Sequence, residues 1–278
     1  MKQWILSLIA VSFLTSYAMA QEDSSLQKKP IVLHTFIQKN RLEPNLAGGY
    51  GRLLRYIQKN SSQNFEMRPY YLTRALRNFE NDPSGCFFPS PPETIGVLIP
   101  SMKGQSVRYS LPIDYISGHL FSHSSVPKIT SFEQVEGLKF GVLNDSIVEP
   151  LFGDKLNTIE LVRVRNDRQN MNMLMRRRVN YVFGWAPDNL LMAEDLDFTE
   201  FSYDPSLKFF ETTTHVVCKK TPENDAVLST INAQIKQLQT SGIIRFILSK
   251  HANPVEYGSR SYVRYPFTGI NIELEPVE

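Results

Sequence analysis

Few side chains in this sequence could do chemistry. Five histidines stand at positions 34, 119, 123, 215 and 251, and two cysteines at 86 and 218. Gly-x-Ser-x-Gly, His-Glu-x-x-His and Cys-x-x-Cys do not occur, so a nucleophile elbow, a zinc-protease helix and a dithiol redox motif are not written into the chain. His119 and His123 would share one face of an extended strand and could begin a zinc site. A metal needs a third ligand and a supporting shell, and neither is signalled nearby, so no metal and no cofactor are expected. His34 and His215 fall inside apolar strands and read as hydrogen-bonded structural residues. For acid–base work only Lys103, Asp188 and Glu93 could form a polar pair.

A second set of residues is suited to holding a molecule. Phe36, Tyr50, Tyr71, Arg74 and Phe88–Ser90 come from the first third of the chain. Asn144–Ser146, Asn166, Trp185 and Asp188 come from the middle. Each stands at the exit of a predicted strand or the start of a predicted helix. In open α/β sheets ligands bind outside the carboxyl ends of the strands, beside helix N-termini. A helix starting near Ser146 would turn free N–H groups toward an anionic oxygen. Trp185, at a strand exit before a helix, is suited to form a pocket wall. Plainer roles compete: Phe36, Tyr71 and Phe88 could be core, Arg74 could pair with Glu80 or Asp82, and Asp188 could be a first-turn acid favoured by the helix dipole.

The elements that must position these residues alternate. Ile31–Phe36, Phe65–Tyr71 and Ser84–Phe88 read as strands. Between them lie helices with Tyr50, Leu53, Leu54 and Ile57, and with Leu72, Ala75, Leu76 and Phe79, on one face. After residue 137 the pattern repeats, with strands at Leu138–Leu143, Ile159–Val164 and Val179–Phe183 and helices at Asp167–Arg178 and Pro187–Asp195. Such alternation predicts α/β layers around mostly parallel sheets. Pro222 opens a long helix, Ser241-Gly242 breaks it, and Ile243–Lys250 resumes. The tail from Ala252 is rich in Tyr, Arg and Pro and is expected to wrap the surface or stay loose.

Residues 1–20 carry Lys2, an apolar run from Trp4 to Tyr17 and Ala18-Met19-Ala20, the pattern of a cleavable secretory signal. The apolar run is short for a membrane span, and no cysteine follows the cleavage site to carry a lipid. A free periplasmic product is expected. Removing Lys2 takes the formal charge from +2 to +1, which leaves no general cationic surface for nucleic acid. Two cysteines cannot staple a fold of this size together, although an oxidising compartment would permit one pair.

The segment from Tyr109 to Ser146 carries the most specific pattern. Tyr109-Ser-Leu-Pro-Ile-Asp-Tyr-Ile-Ser-Gly-His-Leu-Phe is a β-rich run with one proline. Ser131-Phe-Glu-Gln-Val-Glu-Gly137 is a capping-box start with a glycine stop, and the strand Leu138–Leu143 leads into Asn144-Asp-Ser146. This order resembles the second-lobe entry of the family 3 periplasmic solute-binding proteins, which have the type II fold, and the resemblance runs from about Pro30 to His251. It implies two α/β lobes joined by two crossover strands: residues 21–113 and 213–251 in lobe one, 114–212 in lobe two, and 252–278 as a tail. It also implies that the strands of Cys86 and Cys218 lie side by side in lobe one, with the pair as a disulfide or as two buried thiols.

By the same resemblance the chain is a monomer without catalysis. It captures a small solute between the lobes and presents it to an ABC transporter permease or a membrane sensor. The alternative is a dehydratase or lyase on the same scaffold. Family members that bind α-amino acids grip the carboxylate with an Arg before the Ser-x-Pro turn; here that position is Lys103, or Arg108 in a shifted register. They hold the ammonium with an Asp at a strand exit, where this chain has Trp185, with Asp188 three residues on. A Lys lacks the planar fork of Arg, so an aromatic, amine-containing or peptide-like solute becomes the expectation. The site implied is Phe36, Tyr50, Tyr71, Arg74, Phe88, Ser90, Lys103, Ser146, Trp185 and Asp188.

Overall fold

The computed structural model describes residues 30–61, 63–92, 95–102, 107–144, 149–248, 251–266 and 268–273. The signal-like segment 1–20, Lys103, Ser146 and Glu93 lie outside these residues. Along the chain, β1 (Ile31–Phe36), α1 (Gly48–Lys59), β2 (Phe65–Tyr70), α2 (Leu72–Asn81) and β3 (Cys86–Ser90) alternate as the apolar periodicity predicts. A short α3 (Ile95–Leu98) and β4 (Val107–Tyr109) follow. Then come β5 (Asp114–His123), β6 (Lys139–Leu143), α4 (Glu149–Phe152), β7 (Glu160–Val164), α5 (Asp167–Met175), β8 (Tyr181–Ala186), α6 (Asp188–Asp195), β9 (Phe201–Tyr203) and β10 (Phe210–Thr213). The chain returns through β11 (His215–Lys219), α7 (Pro222–Thr240) and α8 (Ile244–Leu248), and ends in β12 (Asn253–Pro254), β13 (Tyr262–Tyr265) and β14 (Ile270–Glu273).

These strands make two sheets. The first has the order β2-β1-β3-β11-β4; the second runs β14-β13-β10-β5-β8-β6-β7, with β12 and β9 also paired to β5. Both are mixed rather than mostly parallel. The crossover-built cores β2-β1-β3 and β7-β6-β8 are parallel. The strands that carry the chain between the sheets run antiparallel to their neighbours, because a chain that leaves a sheet and returns must reverse. Each sheet buries its two faces in its own apolar clusters, and no cluster draws residues from both sheets. Two lobes with separate cores follow from that division.

Local signals explain the element ends. The Ser131 capping box forms around a 3-10 turn, Phe132–Val135, and Gly137 closes it at φ +75°. Thr221 caps α7 by accepting from the Asn224 N–H, with Pro222 in its first turn, and Gly242 at φ +70° lies in the break before α8. Among the described residues no helix is long and apolar enough to cross a membrane.

Cys86 and Cys218 face each other in the β3–β11 register and form a disulfide. The tail differs from the expectation of a loose wrap. Its β13 pairs with β10 and β14 with β13, so it extends the second sheet. The physical reason is apolar continuity across the strands: Phe210 of β10 meets Tyr265 of β13 edge-on at 5.0 Å, and Val263 is buried. The disulfide closes a separation of 132 residues, so loop-closure entropy predicts a loss of about 2–5 kcal/mol when it is removed. Urea titration of the Cys86→Ala/Cys218→Ala variant checks this, and an unchanged midpoint would refute it.

Candidate functional site

The site is built where the two chain crossings meet. Thr214 of the returning crossing donates its backbone N–H to the Asp114 carbonyl (2.9 Å), and Ile113 donates to the Thr214 carbonyl (2.9 Å). The two crossings are thus hydrogen-bonded to each other at the waist. His215, next in line, lies between the Ser110 carbonyl (2.7 Å from Nδ1) and the Thr213 hydroxyl (2.9 Å from Nε2). Burial lowers its pKa to about 4, although the Ser110 carbonyl works the other way. It is a neutral structural imidazole, in keeping with its place in an apolar strand.

Arg41, in the loop between β1 and α1, reaches into this waist. Its Nη2 donates to Asp114 Oδ2 at 2.5 Å and its Nη1 to Asp188 Oδ2 at 3.3 Å. The guanidinium lies 3.8 Å over the Tyr50 ring. The Tyr50 hydroxyl donates to Asp114 Oδ1 at 2.8 Å and lies 3.3 Å from the Thr214 hydroxyl, which itself donates to Asp114 Oδ1. Side-chain exposure is 5% for Arg41, 0% for Asp114 and 15% for Asp188. Burial works against the Arg41 cation, but Tyr50, Asp188 and Asp114 outweigh it and raise its pKa. For Asp188, burial prevails over Arg41 and its carboxyl is raised.

The loop backbone fixes Arg41 in place. The Arg41 carbonyl accepts from the N–H groups of Tyr50 (2.9 Å) and Gly51 (3.3 Å) at the start of α1. Ala47 offers no side-chain cap, so this carbonyl satisfies helix-end donors that would otherwise lack a partner. Gly48 at φ +86° makes the return possible, since a Cβ there would sit 2.5 Å from the Arg41 carbonyl oxygen. The neighbouring Asn40 donates to the Leu191 carbonyl of α6 at 3.3 Å, and Lys39 lies 4.0 Å from Asp195.

From the second sheet, α5 and α6 present their N-termini side by side. Asn170 and Asn189 pack directly over the glycines of β6 and β8. A Cβ on Gly141 would lie 2.2 Å from Asn170 Oδ1, and one on Gly184 2.3 Å from Asn189 Cγ. These close approaches draw both helices onto the sheet. Asn166 caps α5 by accepting from Gln169 N–H at 2.9 Å. Asp167, the first residue of α5, then has its Oδ1 sealed from solvent without a hydrogen-bond partner. Burial, followed by the nearby Asp188 carboxylate, raises the Asp167 pKa to about 7.

The sequence candidates separate into groups. Tyr50, Phe88 and Asp188 come together around Arg41, with Phe88 edge-on to Tyr50 at 4.8 Å. Phe88 is fully buried in the first core. Ser90 is buried and donates to the Pro91 carbonyl at 3.0 Å. Phe36 stacks on Phe87 at 5.9 Å. Tyr71 is 79% exposed, and Arg74 stacks over Tyr70 at 4.8 Å. Trp185 is half-buried, edge-on to Phe183 (5.3 Å) and Phe210 (5.2 Å). Sequence reasoning missed Arg41, Asp114, Thr214 and Asp167. Asp114, an acid inside an apolar strand run, carried a readable signal. Arg41 carried none, because nothing local tells a buried loop arginine from an exposed one. His119 and His123 each have separate partners, Ser117 with the Asp204 and Leu207 carbonyls, and Ser125 with Arg177.

Solved structures share this architecture. A histidine kinase sensor domain with similarity to periplasmic binding proteins superposes with a TM-score of 0.63 at 13% identity, covering 82% of this chain and 98% of that one. The fold is the two-lobed, type II periplasmic binding protein fold. The GluR0 ligand-binding core from Nostoc punctiforme, in complex with L-glutamate, matches with a TM-score of 0.61 at 15% identity over 80% of this chain and 99% of its own. An ancestral arginine-binding protein bound to glutamine gives 0.59 at 15% identity, over 79% and 97%. No protein-family model and no curated protein matches the sequence.

Two predictions follow from the charges. Arg41→Met leaves Asp114 and Asp188 without their cation, and removing one partner of a buried pair costs about 3–5 kcal/mol. Chemical denaturation should show that loss, and a change below about 1 kcal/mol would contradict the ion set. Asp167 has its carboxyl raised in the folded state, so the unfolded chain ionises first. Stability is therefore lost as pH rises from about 4 to about 7 and is level above that. Asp167→Asn should raise the melting temperature at pH 7.5 by more than the roughly 2–4 °C that 1 kcal/mol produces in a chain of this size and leave it unchanged at pH 4. Calorimetry at the two pH values checks the difference.

Proposed function

We propose that this chain is a solute-binding protein that closes its lobes around a small polar, amine- or carboxylate-containing molecule. The observation that carries the reading is the waist: two lobes with independent cores, joined by two crossings hydrogen-bonded at Asp114 and Thr214. Paired straps bend more easily than they twist, which suits hinge closure. The loop after β1 meets the start of α6 through Arg41 and Asp188, and ligands of open α/β sheets bind beside such strand exits and helix N-termini. The proposal includes release into the periplasm after cleavage behind Ala20, a monomeric state, and presentation of the closed form to an ABC permease or a membrane sensor. Solved relatives of the fold include a substrate-binding domain of a putative amino acid ABC transporter and a kinase sensor domain, and both partner types remain within the proposal.

The chain is not proposed as an enzyme. Asp188, the one described member of the possible acid–base set, is bonded to Arg41. The test is a thermal-shift screen of the mature protein against amino acids, polyamines, small peptides and organic acids. A ligand at a hundredfold over its dissociation constant adds about 2.7 kcal/mol. Trp185→Ala should then weaken the hit at least tenfold, about 1.4 kcal/mol. Unchanged affinity would remove Trp185 from the site, and conversion of the solute at catalytic protein levels would replace binding with turnover.

A further inference from the structure

Among the described residues three chain segments cross the waist. The resemblance read from the sequence ends at His251 and implies two crossovers, and the tail beyond it adds another. Ala252 packs against the first core. β12 then pairs antiparallel with the start of β5, Asn253 opposite Tyr115 and Pro254 opposite Asp114. Val255 is buried and donates its N–H to the Ile113 carbonyl at 3.1 Å. On the other side of the same strand, Ile113 donates to the Thr214 carbonyl and Tyr115 stands opposite Thr213. The outgoing crossing is therefore the middle strand of a three-stranded band. The returning crossing lies along one of its edges and the tail along the other.

Beyond the band the tail is fastened to each lobe in turn. Glu256 lies 3.8 Å from Arg245 of α8, and Lys236 of α7 stands 4.7 Å over the Tyr257 ring; both helices belong to the first core. Gly258 at φ +87° and a bond from Ser259 N–H to the Glu256 carbonyl (3.1 Å) close a turn. By Tyr262 the chain is on the second lobe. The Tyr262 carbonyl accepts from the Thr212 hydroxyl at 2.8 Å, its ring stacks on Tyr115 at 5.7 Å, and Val263 joins the second core. Even fully extended, the link from Tyr257 to Tyr262 reaches only about 17 Å.

We propose that residues 251–262 are a strap that limits how far the two lobes swing apart. This rests on the two-lobed part of the reading above and sets a bound on its hinge motion. Two crossings leave bending about the hinge open. A third segment, fastened to α7 and α8 at one end and to β10 at the other, follows that bending only until its link is taut. At the head of the strap His251 Nε2 lies 2.6 Å from Glu194 Oε1 of α6, a further tie between the tail and the second lobe. Glu256, Tyr257 and Gly258 are exposed, so the turn can be lengthened without touching either core.

The test gives the strap slack and measures the distance between the lobes. Spin labels at Lys59→Cys and Arg176→Cys, both exposed and one on each lobe, report that distance in the mature chain by pulsed electron resonance. Inserting about eight Gly and Ser residues after Gly258 adds roughly 15 Å of reach, and is expected to move the mean distance outward and widen the distribution at least about twofold. The same insertion after Gly269, in the turn between β13 and β14, lengthens the tail but not the strap and should leave the distribution unchanged. A parent-like distribution in the Gly258 insertion overturns the strap, and so does equal widening in both insertions. Melting transitions report folding. If the Gly258 insertion does not melt cooperatively, Lys236→Ala with Arg245→Ala decides instead: freeing the turn from lobe one should widen the distribution in the same direction, and no change overturns the proposal. No solute enters the measurement, so an empty thermal-shift panel would end the solute-binding reading alone, and an unchanged distance would end the strap alone.

Discussion

A guanidinium that cannot reach water is the constraint around which the waist of this molecule is arranged. Leaving a buried charge unpaired costs several kcal/mol, so Arg41 must find acids, and it finds them on different parts of the chain. Asp114 begins β5 of the second sheet, and Asp188 begins α6. Tyr50 supplies a ring face, and its hydroxyl, with that of Thr214, satisfies the remaining oxygen of Asp114. One side chain thus fixes the loop after β1, the outgoing crossing, the returning crossing and α6 relative to one another. The carbonyl of the same residue closes the N-terminus of α1, which ties the loop to the first core as firmly as the side chain ties it to the second lobe.

Charge and burial pull in opposite directions across this region as pH changes. His215 is kept neutral down to about pH 4, so the unfolded chain takes up its proton first and stability falls as the solution becomes more acid than about 6.5. Asp167 gives the opposite slope over nearly the same interval, because its folded carboxyl holds a proton that the unfolded one has lost. The two slopes offset each other between about pH 4 and pH 6.5. Of these two terms, only that of Asp167 is still changing above that range.

The fold was legible because its signals are local and repeated. The face of α1 made by Tyr50, Leu53, Leu54 and Ile57 is buried as its spacing requires. The capping box at Ser131 and the break at Gly242 stand where their residue types place them. The tail was misread because its partners are remote: Tyr262–Tyr265 has no periodicity of its own beyond four residues, and it becomes a strand through β10, some fifty positions earlier. The site was legible only in part for a related reason. Tyr50, Phe88 and Asp188 sit at strand exits and helix starts, where a topological rule finds them. Arg41 sits in a loop whose path is decided by Gly48 and by contacts with residues 114 and 188, and no neighbour in sequence records that. Trp185, prominent as the only tryptophan beyond the leader-like segment, sits edge-on to Phe183 and Phe210, because a strand-exit aromatic can turn to either face of its sheet.

Separate cores change what the waist can do. Since each sheet is buried on both faces by residues of its own lobe, opening the seam exposes little of either core. The hydrophobic contribution, at about 25 cal/mol per Å², stays with the lobes. What the seam holds is polar: the Arg41 pairs and the Asn40 bond to Leu191. Polar exchanges of this kind are worth about 1 kcal/mol each when water can replace a partner. A small molecule can shift an equilibrium only by its differential affinity for the two states. A seam held by a few polar exchanges lies within that range, and a seam held by a shared apolar core would not.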